Sequence, residues 1–138
     1  MKVLLDTNII IDVISKRAGY EDSLRLFKYC ETGRVKGFIS ATTVTDILYI
    51  LRKHMDPSEV RAAVQTMLLI IDIASIGKSE IGSAFASEMK DFEDAVQSAC
   101  ARRIGADYII TRNLKDFDKS AVKALSPTEA LELFKVKI

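Results

Sequence analysis

The sequence is poor in the residues that staple or interrupt small folds. Its 138 residues include no tryptophan, one histidine, two cysteines, two prolines and six glycines. Cys30 and Cys100 form no CxxC pair and read as small helix-face residues in a reducing compartment, not as a disulfide framework. At this length about two thirds of the unfolded chain's surface can be buried, so folding needs neither a disulfide nor a metal. The prolines and glycines are scattered singly, without a linker, low-complexity stretch or internal repeat, and the expectation is one domain over residues 1–138. No GxGxxG follows a predicted strand, which disfavours dinucleotide binding. The apolar run Met67 to Ile71 is closed by Asp72, far short of the roughly 20 residues of a membrane span. Asp6, Asn8 and Asp12 break up the apolar N-terminus, so no signal peptide is expected and a cytoplasmic location without membrane contact follows.

An excess of one charge is also missing. Twenty Lys+Arg stand against nineteen Asp+Glu, a net charge of +1, which excludes a protein that coats nucleic acid by bulk charge. With 49% apolar and 28% charged residues the composition is that of an ordinary globular domain.

What is present is an alternation of short apolar runs and longer helical periods. Val3 to Leu5 predicts a buried strand, followed by a helix from about Asn8 to Lys16. A second helix, Glu21 to Thr32, carries Leu24, Phe27 and Cys30 on one face and stops at Gly33. Phe38 to Ser40 is the next strand. The helix after it, Thr43 to Lys53, has Val44, Ile47, Leu48 and Leu51 at i, i+3, i+4, i+7. Asp56-Pro57-Ser58-Glu59 opens a fourth helix, which leads into a third strand at Leu69 to Ile73. Helices at Lys78 to Met89 and Phe92 to Ile104, with Gly105 as the stop, precede a strand at Tyr108 to Thr111 and a short one at Ala121 to Leu125. Ser126-Pro127-Thr128-Glu129 caps a last helix. Strands alternating with helices predict an α/β fold with a mainly parallel sheet of four to five short strands, in which ligands bind at the carboxyl edge.

Four acids fall at that edge. Asp6 directly follows the first strand and is the only charged residue between Val3 and Ile11; it caps the next helix or holds a partner, since an unpaired buried carboxylate costs several kcal/mol. Asp46 is the only charged residue between Gly37 and Leu51. Its angle away from the Val44/Ile47 stripe fits simple exposure, while the flanking Tyr49 and Ile50 make that side apolar too. In Asp91-Phe92-Glu93-Asp94, Asp91 reads as N-cap and Glu93 as a dipole partner. Asp94, beside small alanines, is the candidate inward ligand. Asp116 follows the fourth strand in a loop that an Asx turn also explains. Two carboxylates 5 Å apart repel by about 3 kcal/mol at an effective dielectric of 20, so four together call for a cation. Oxygen-only ligands suit Mg²⁺ or Mn²⁺, and such sites serve phosphoryl chemistry.

Leu4-Leu5-Asp6-Thr7-Asn8-Ile9-Ile10-Ile11-Asp12, Ser40 to Ile47, Asp91-Phe92-Glu93-Asp94-Ala95 and Ile110-Thr111-Arg112-Asn113 through Asp116-Phe117 resemble, in order, the four motif blocks of PIN-domain proteins of the VapC toxin ribonuclease type. The resemblance implies a three-layer α/β/α sandwich and a metal-dependent ribonuclease, the toxin half of a toxin–antitoxin pair. It implies Asp6, Asp94 and Asp116 as ligands of Mg²⁺ or Mn²⁺, with Asp46 completing the catalytic acids. Thr7, Asn8, Thr111, Arg112 and Asn113 would orient ligands or substrate phosphate. The implied partners are RNA, an antitoxin protein and a second copy in a homodimer. Two positions depart from the pattern: Asp46 stands where Glu is usual, and Asn113 where many relatives have Asp. A non-catalytic PIN-like module that binds RNA or protein is the alternative those departures suggest. A phosphoaspartyl mechanism at Asp6 lacks the second aspartate it needs. Arg112, Lys115, Lys119 and Lys123, with Arg102 and Arg103 on the preceding helix, either hold phosphates or form a solvated face. His54 sits at a helix end as a dipole partner.

Overall fold

Lys2–Leu5 (β1) is apolar on both faces, and Val3, Leu4 and Leu5 are all buried; a strand of that kind belongs in the middle of a parallel sheet. A computed structural model describing residues 1–138 places it there. β2 (Lys36–Ser40), β3 (Asp72–Ala74), β4 (Tyr108–Ile110) and β5 (Ala124–Leu125) complete an all-parallel sheet in the order β3-β2-β1-β4-β5. Leu4 lies opposite Phe38 of β2 and Ile109 of β4.

Alternation along β1 divides the core. Val3 and Leu5 pack with Ile39, Ile110 and Leu125 under α1 (Thr7–Ser15), α2 (Tyr20–Glu31), α3 (Ala41–Leu51), α4 (Pro57–Met67) and α7 (Pro127–Lys137). Leu4 and Ile109 face the other way, onto Ala84 of α5 (Lys78–Ala86) and Ala95, Val96, Cys100 and Ala101 of α6 (Phe92–Arg103). The result is a three-layer α/β/α sandwich. Small residues on α6 let that helix approach the sheet closely, which brings its first turn over the ends of β1 and β4. Gly37 in β2 is required by a similar closeness, because a Cβ there would lie 2.8 Å from Cys30 Sγ and 3.0 Å from Ile71 Cγ2.

The main differences from the sequence reading are in β3, α2, α5 and β5. β3 is Asp72–Ala74, not Leu69 to Ile73: the amides of Leu69 and Ile70 donate to Thr66 and Met67 carbonyls in the turn that closes α4, and Leu69 is 86% exposed. In α2 the inward series is Ser23, Leu26, Phe27 and Cys30, which leaves Leu24 half exposed. α5 ends at Ala86 instead of Met89, where Ser87 turns extended and its Oγ accepts from the Met89 amide. β5 shrinks to two residues because Ala121 is held by Ser98 Oγ, outside the strand.

The chain runs β1, β2, β3 in one direction and then crosses back over β1 to β4. The order therefore reverses between β1 and β4, and a crevice at the carboxyl ends of those strands is where such sheets place ligands.

Candidate active site

Asp6 is the first residue past β1 and lies in that crevice, its amide donating to the Ile110 carbonyl at 2.9 Å. Although it stands at the N-cap position of α1, its side chain makes no capping bond. The carboxylate, 4% exposed, is held instead by two neutral donors: Thr111 Oγ1 to Oδ2 at 2.8 Å and Gln97 Nε2 to Oδ1 at 3.0 Å. One donor comes from the end of β4 and the other from α6. Both oxygens are thereby fixed in direction while retaining lone pairs.

Asp46 reaches the same crevice from α3. Thr43, one turn earlier, is buried, and its Oγ1 lies 2.9 Å from Thr7 Oγ1 and 3.1 Å from Ser40 Oγ. This hydroxyl chain locks the start of α3 to the start of α1. Asp46 lies on the Thr43 side of the helix, so it faces the crevice half-buried and is not a simple surface acid.

α6 contributes most of the negative charge. Asp91 Oδ1 caps it by accepting from the Asp94 amide at 3.0 Å. Glu93 is more than a dipole partner. Its carboxyl hydrogen-bonds with Asp46, and that bond, partial burial and the charges of Asp46, Asp91 and Asp6 push its pKa up to about 7. Half-burial pushes Asp94 up to about 7 as well, assisted by Asp91, Asp6, Asp116 and Glu93. Asp116 sits exposed in a 3₁₀ turn, Leu114–Phe117, on the far wall.

Six carboxylates thus line one cleft of about 230 Å³, with Thr7, Asn8, Gln97 and Asn113 among them and no lysine or arginine. The donor set is all oxygen, the preference of a hard divalent cation. No three carboxylates are gathered into a closed ligand set. An open arrangement suits Mg²⁺, which keeps several of its waters. Gln97 Oε1 is buried without a partner in the wall of the cleft, and it supplies one more acceptor. The residues present fit such an ion.

The other residues singled out in the sequence divide. Asn8 and Asn113 line the cleft, and the Asn113 amide donates to Thr111 Oγ1 at 3.0 Å. Thr111 is fully buried, so its hydroxyl is committed to Asp6 and closed to substrate. Arg112 is outside the cleft. Its Nη1 donates at 2.9 Å to Asp12 Oδ2 of α1, a carboxylate with no exposure that Arg17 also approaches at 3.7 Å. Its guanidinium there neutralises a buried acid, whereas the sequence reading expects Arg112 to orient substrate phosphate. Arg103 is likewise engaged, with Glu80 at 2.7 Å.

Glu93 and Gln97 were not read as site residues from the sequence. Both lie within a turn of Asp94, and that spacing on one helix was the available signal.

The fold and this crevice define a class: a parallel α/β/α domain with a carboxylate-lined cleft at its strand-order reversal. A sequence model of the PIN domain matches residues 2–115, and the chain belongs to the PIN-domain family. Solved structures share the fold. VapBC-1 from nontypeable Haemophilus influenzae is 18% identical, with 93% of this chain and 99% of that chain covered and a TM-score of 0.72. A toxin–antitoxin complex from Klebsiella pneumoniae is 25% identical, with coverage of 91% and 97% and a TM-score of 0.69. The sarcin–ricin-loop-cleaving toxin VapC20 of Mycobacterium tuberculosis is 15% identical, with coverage of 78% and 86% and a TM-score of 0.64. No curated protein sequence matches this chain.

Proposed function

We propose that this PIN domain is a metal-dependent endoribonuclease and the toxin of a toxin–antitoxin pair. The observation that carries the reading is the cleft of six carboxylates with no lysine or arginine among them, two of the acids raised to about 7 by burial and by their acidic neighbours. Bound Mg²⁺ or Mn²⁺ supplies Lewis-acid activation of water and offsets charge on the scissile phosphate. Asp6, Asp94 and Asp116 are the residues that would hold it. Gln97 and Thr111 hold and aim the Asp6 carboxylate. Glu93, raised to about 7 beside Asp46, accepts a proton from the attacking water. Asn8 and Asn113 present neutral polar groups to the phosphate, where a further carboxylate would repel it. The products are a 5′-phosphate and a 3′-hydroxyl.

The structural relatives include toxin–antitoxin complexes, which supports an antitoxin partner for this chain. For the homodimer, the apolar surface to be covered is the exposed Phe85–Phe92 pair on α5 and α6, with ring centroids 4.7 Å apart. No helix is long and apolar enough to cross a membrane, in keeping with a cytoplasmic site of action.

The test is cleavage of end-labelled RNA by purified protein. Cleavage requires Mn²⁺ or Mg²⁺, stops with EDTA and is lost in Asp94→Asn. Absence of both cleavage and Mn²⁺ binding would instead favour a non-catalytic binding module.

A further inference from the structure

The acidic cleft does not end at its own walls. Asp91, Asp94 and Asp116 are shared with a second hollow of about 490 Å³. Glu88 and Lys119 are shared in turn with a groove of about 810 Å³ between α5 and α6. The three spaces form one path along α6, and its charge changes sign from end to end. The acidic cleft has six carboxylates and no cation. The middle hollow has five carboxylates and three lysines, Lys90, Lys115 and Lys119. The groove has two carboxylates, Glu80 and Glu88, against Arg102, Arg103 and Lys119. Glu80 is already occupied by Arg103.

The cations along the path are available. Lys90, Lys115 and Arg102 take part in none of the ion pairs. Lys119 meets Glu88 at 3.8 Å with the two side chains 63% and 82% exposed, a pairing that solvent screens almost completely. A phosphate entering the path replaces Glu88 as the partner of Lys119 at little cost.

We infer that this path is the track of the RNA strand on one side of the scissile phosphate, running from the acidic cleft over Lys115 and Lys119 into the groove beside Arg102. The inference rests on the ribonuclease reading and adds to it where the substrate lies. A polyanion can place one phosphate among carboxylates only where a cation offsets them, and its next phosphates need positive charge at once. Past Asp91, Asp94 and Asp116, which the hollow shares with the cleft, its three lysines face only Glu88 and Asp118, so positive charge predominates from there on. A peptide is a poorer occupant, because the apolar side chains of the groove are all alanine and offer no pocket for aliphatic or aromatic anchors. Contacts of this kind hold the backbone without reading bases.

The experiment measures binding of a fluorescent single-stranded RNA dodecamer, and of a dinucleotide, to the Asp94→Asn protein by anisotropy across a salt series. Lys119→Glu and Arg102→Glu are compared with Lys137→Glu, an exposed charge on α7 away from the path. All three positions are solvent-exposed, and circular dichroism checks that each variant folds. Lys119→Glu and Arg102→Glu are expected to weaken dodecamer binding several-fold. Each should lower the slope of log K on log[salt] by about 1. Dinucleotide binding and Lys137→Glu should show neither change. If the parent protein binds no RNA, the ribonuclease reading and the track fall together. If the Asp94→Asn protein binds RNA and the unsubstituted protein cleaves it, while the two path variants behave like Lys137→Glu, the track alone is overturned, and the groove is left to a protein partner.

Discussion

Gln97 Nε2 donates to Asp6 Oδ1 at 3.0 Å, joining a helix to the first strand across 91 residues of sequence. Asp6 is buried, and its other oxygen is taken by Thr111, so no water replaces a lost Gln97 without rearrangement. Groups that orient a ligand in this way commonly carry 10- to 100-fold in metal affinity or activity. Gln97→Leu is expected to weaken Mn²⁺ binding, read by calorimetry, by about tenfold or more. It should also cost roughly 1–3 kcal/mol of stability through the unsatisfied Asp6 oxygen. Unchanged Mn²⁺ affinity would remove Gln97 from the site.

The raised carboxyls fix the direction of a pH effect. Asp94 and Glu93 rise from ordinary values of 3.8 and 4.5 to about 7 in the folded state. Between those limits the native protein binds more protons than the unfolded chain, so metal-free stability falls as pH rises from about 4 to about 7 and stays low above it. At the acid end the trend reverses, because backbone hydrogen bonds hold the capping carboxyls of Asp56 and Glu129 below their usual range. Thermal melts in EDTA are expected to peak at about pH 4 to 5, where the two opposing trends cross.

Asp94→Asn removes one of the repelling charges. It is expected to abolish cleavage and yet raise the metal-free Tm at pH 8, by about 1 kcal/mol or roughly 4 °C after allowance for solvent screening of a half-exposed carboxyl. At pH 5.5 the gain should largely vanish, since Asp94 is then already protonated. A Tm gain that does not change with pH would contradict the electrostatic account.

Divalent ions should act in the opposite sense to protons. Mn²⁺ in excess is expected to raise Tm at pH 8, by RT ln(1 + [L]/Kd), and far less at pH 5.5, where protons already relieve the repulsion. The shift should be smaller in Asp94→Asn. Differential scanning fluorimetry with and without EDTA measures it directly.

Arg112 is expected to matter through folding. Replacing it by methionine leaves Asp12 buried with only the distant Arg17, and removing one partner of a buried pair typically costs about 3–5 kcal/mol. The double variant Asp12→Leu, Arg112→Met should recover most of that loss. If Arg112→Met keeps full stability while losing RNA affinity, the phosphate-binding expectation stands after all.

The parts of the site that the sequence disclosed are those where a charge interrupts apolar chain. Asp6 after Val3-Leu4-Leu5 and Asp46 within α3 are legible because burial without a counterion demands a reason. The order of strands and helices was legible for the same cause, since β1 and β4 are apolar on both faces. Gln97 was hidden because a neutral side chain leaves no such mark, and its partner is fixed only when α6 packs on the sheet. The Arg112–Asp12 pair was hidden because a cation next to acidic motifs suggests phosphate, while the carboxylate it meets lies 100 residues earlier. Leu69 and Ile70 misled because the apolar run Met67 to Ile71 is the end of α4 and the turn after it, while β3 starts at Asp72, where that run stops.

The crossing of the chain back over β1 has a consequence for synthesis on the ribosome. A nascent chain that has emerged through β3 already carries Asp6 and Asp46 but neither Asp94, Gln97 nor Thr111. Its central strand has a neighbour on one edge only until β4 appears. Translation delivers roughly 5–20 residues per second, and domains complete their folding once their last contributing strand is free. The cleft is therefore incomplete until α6, β4 and the turn at Leu114–Phe117 have emerged. Its six carboxylates first meet as one surface at that point, and a ligand that needs them all finds no partial site earlier.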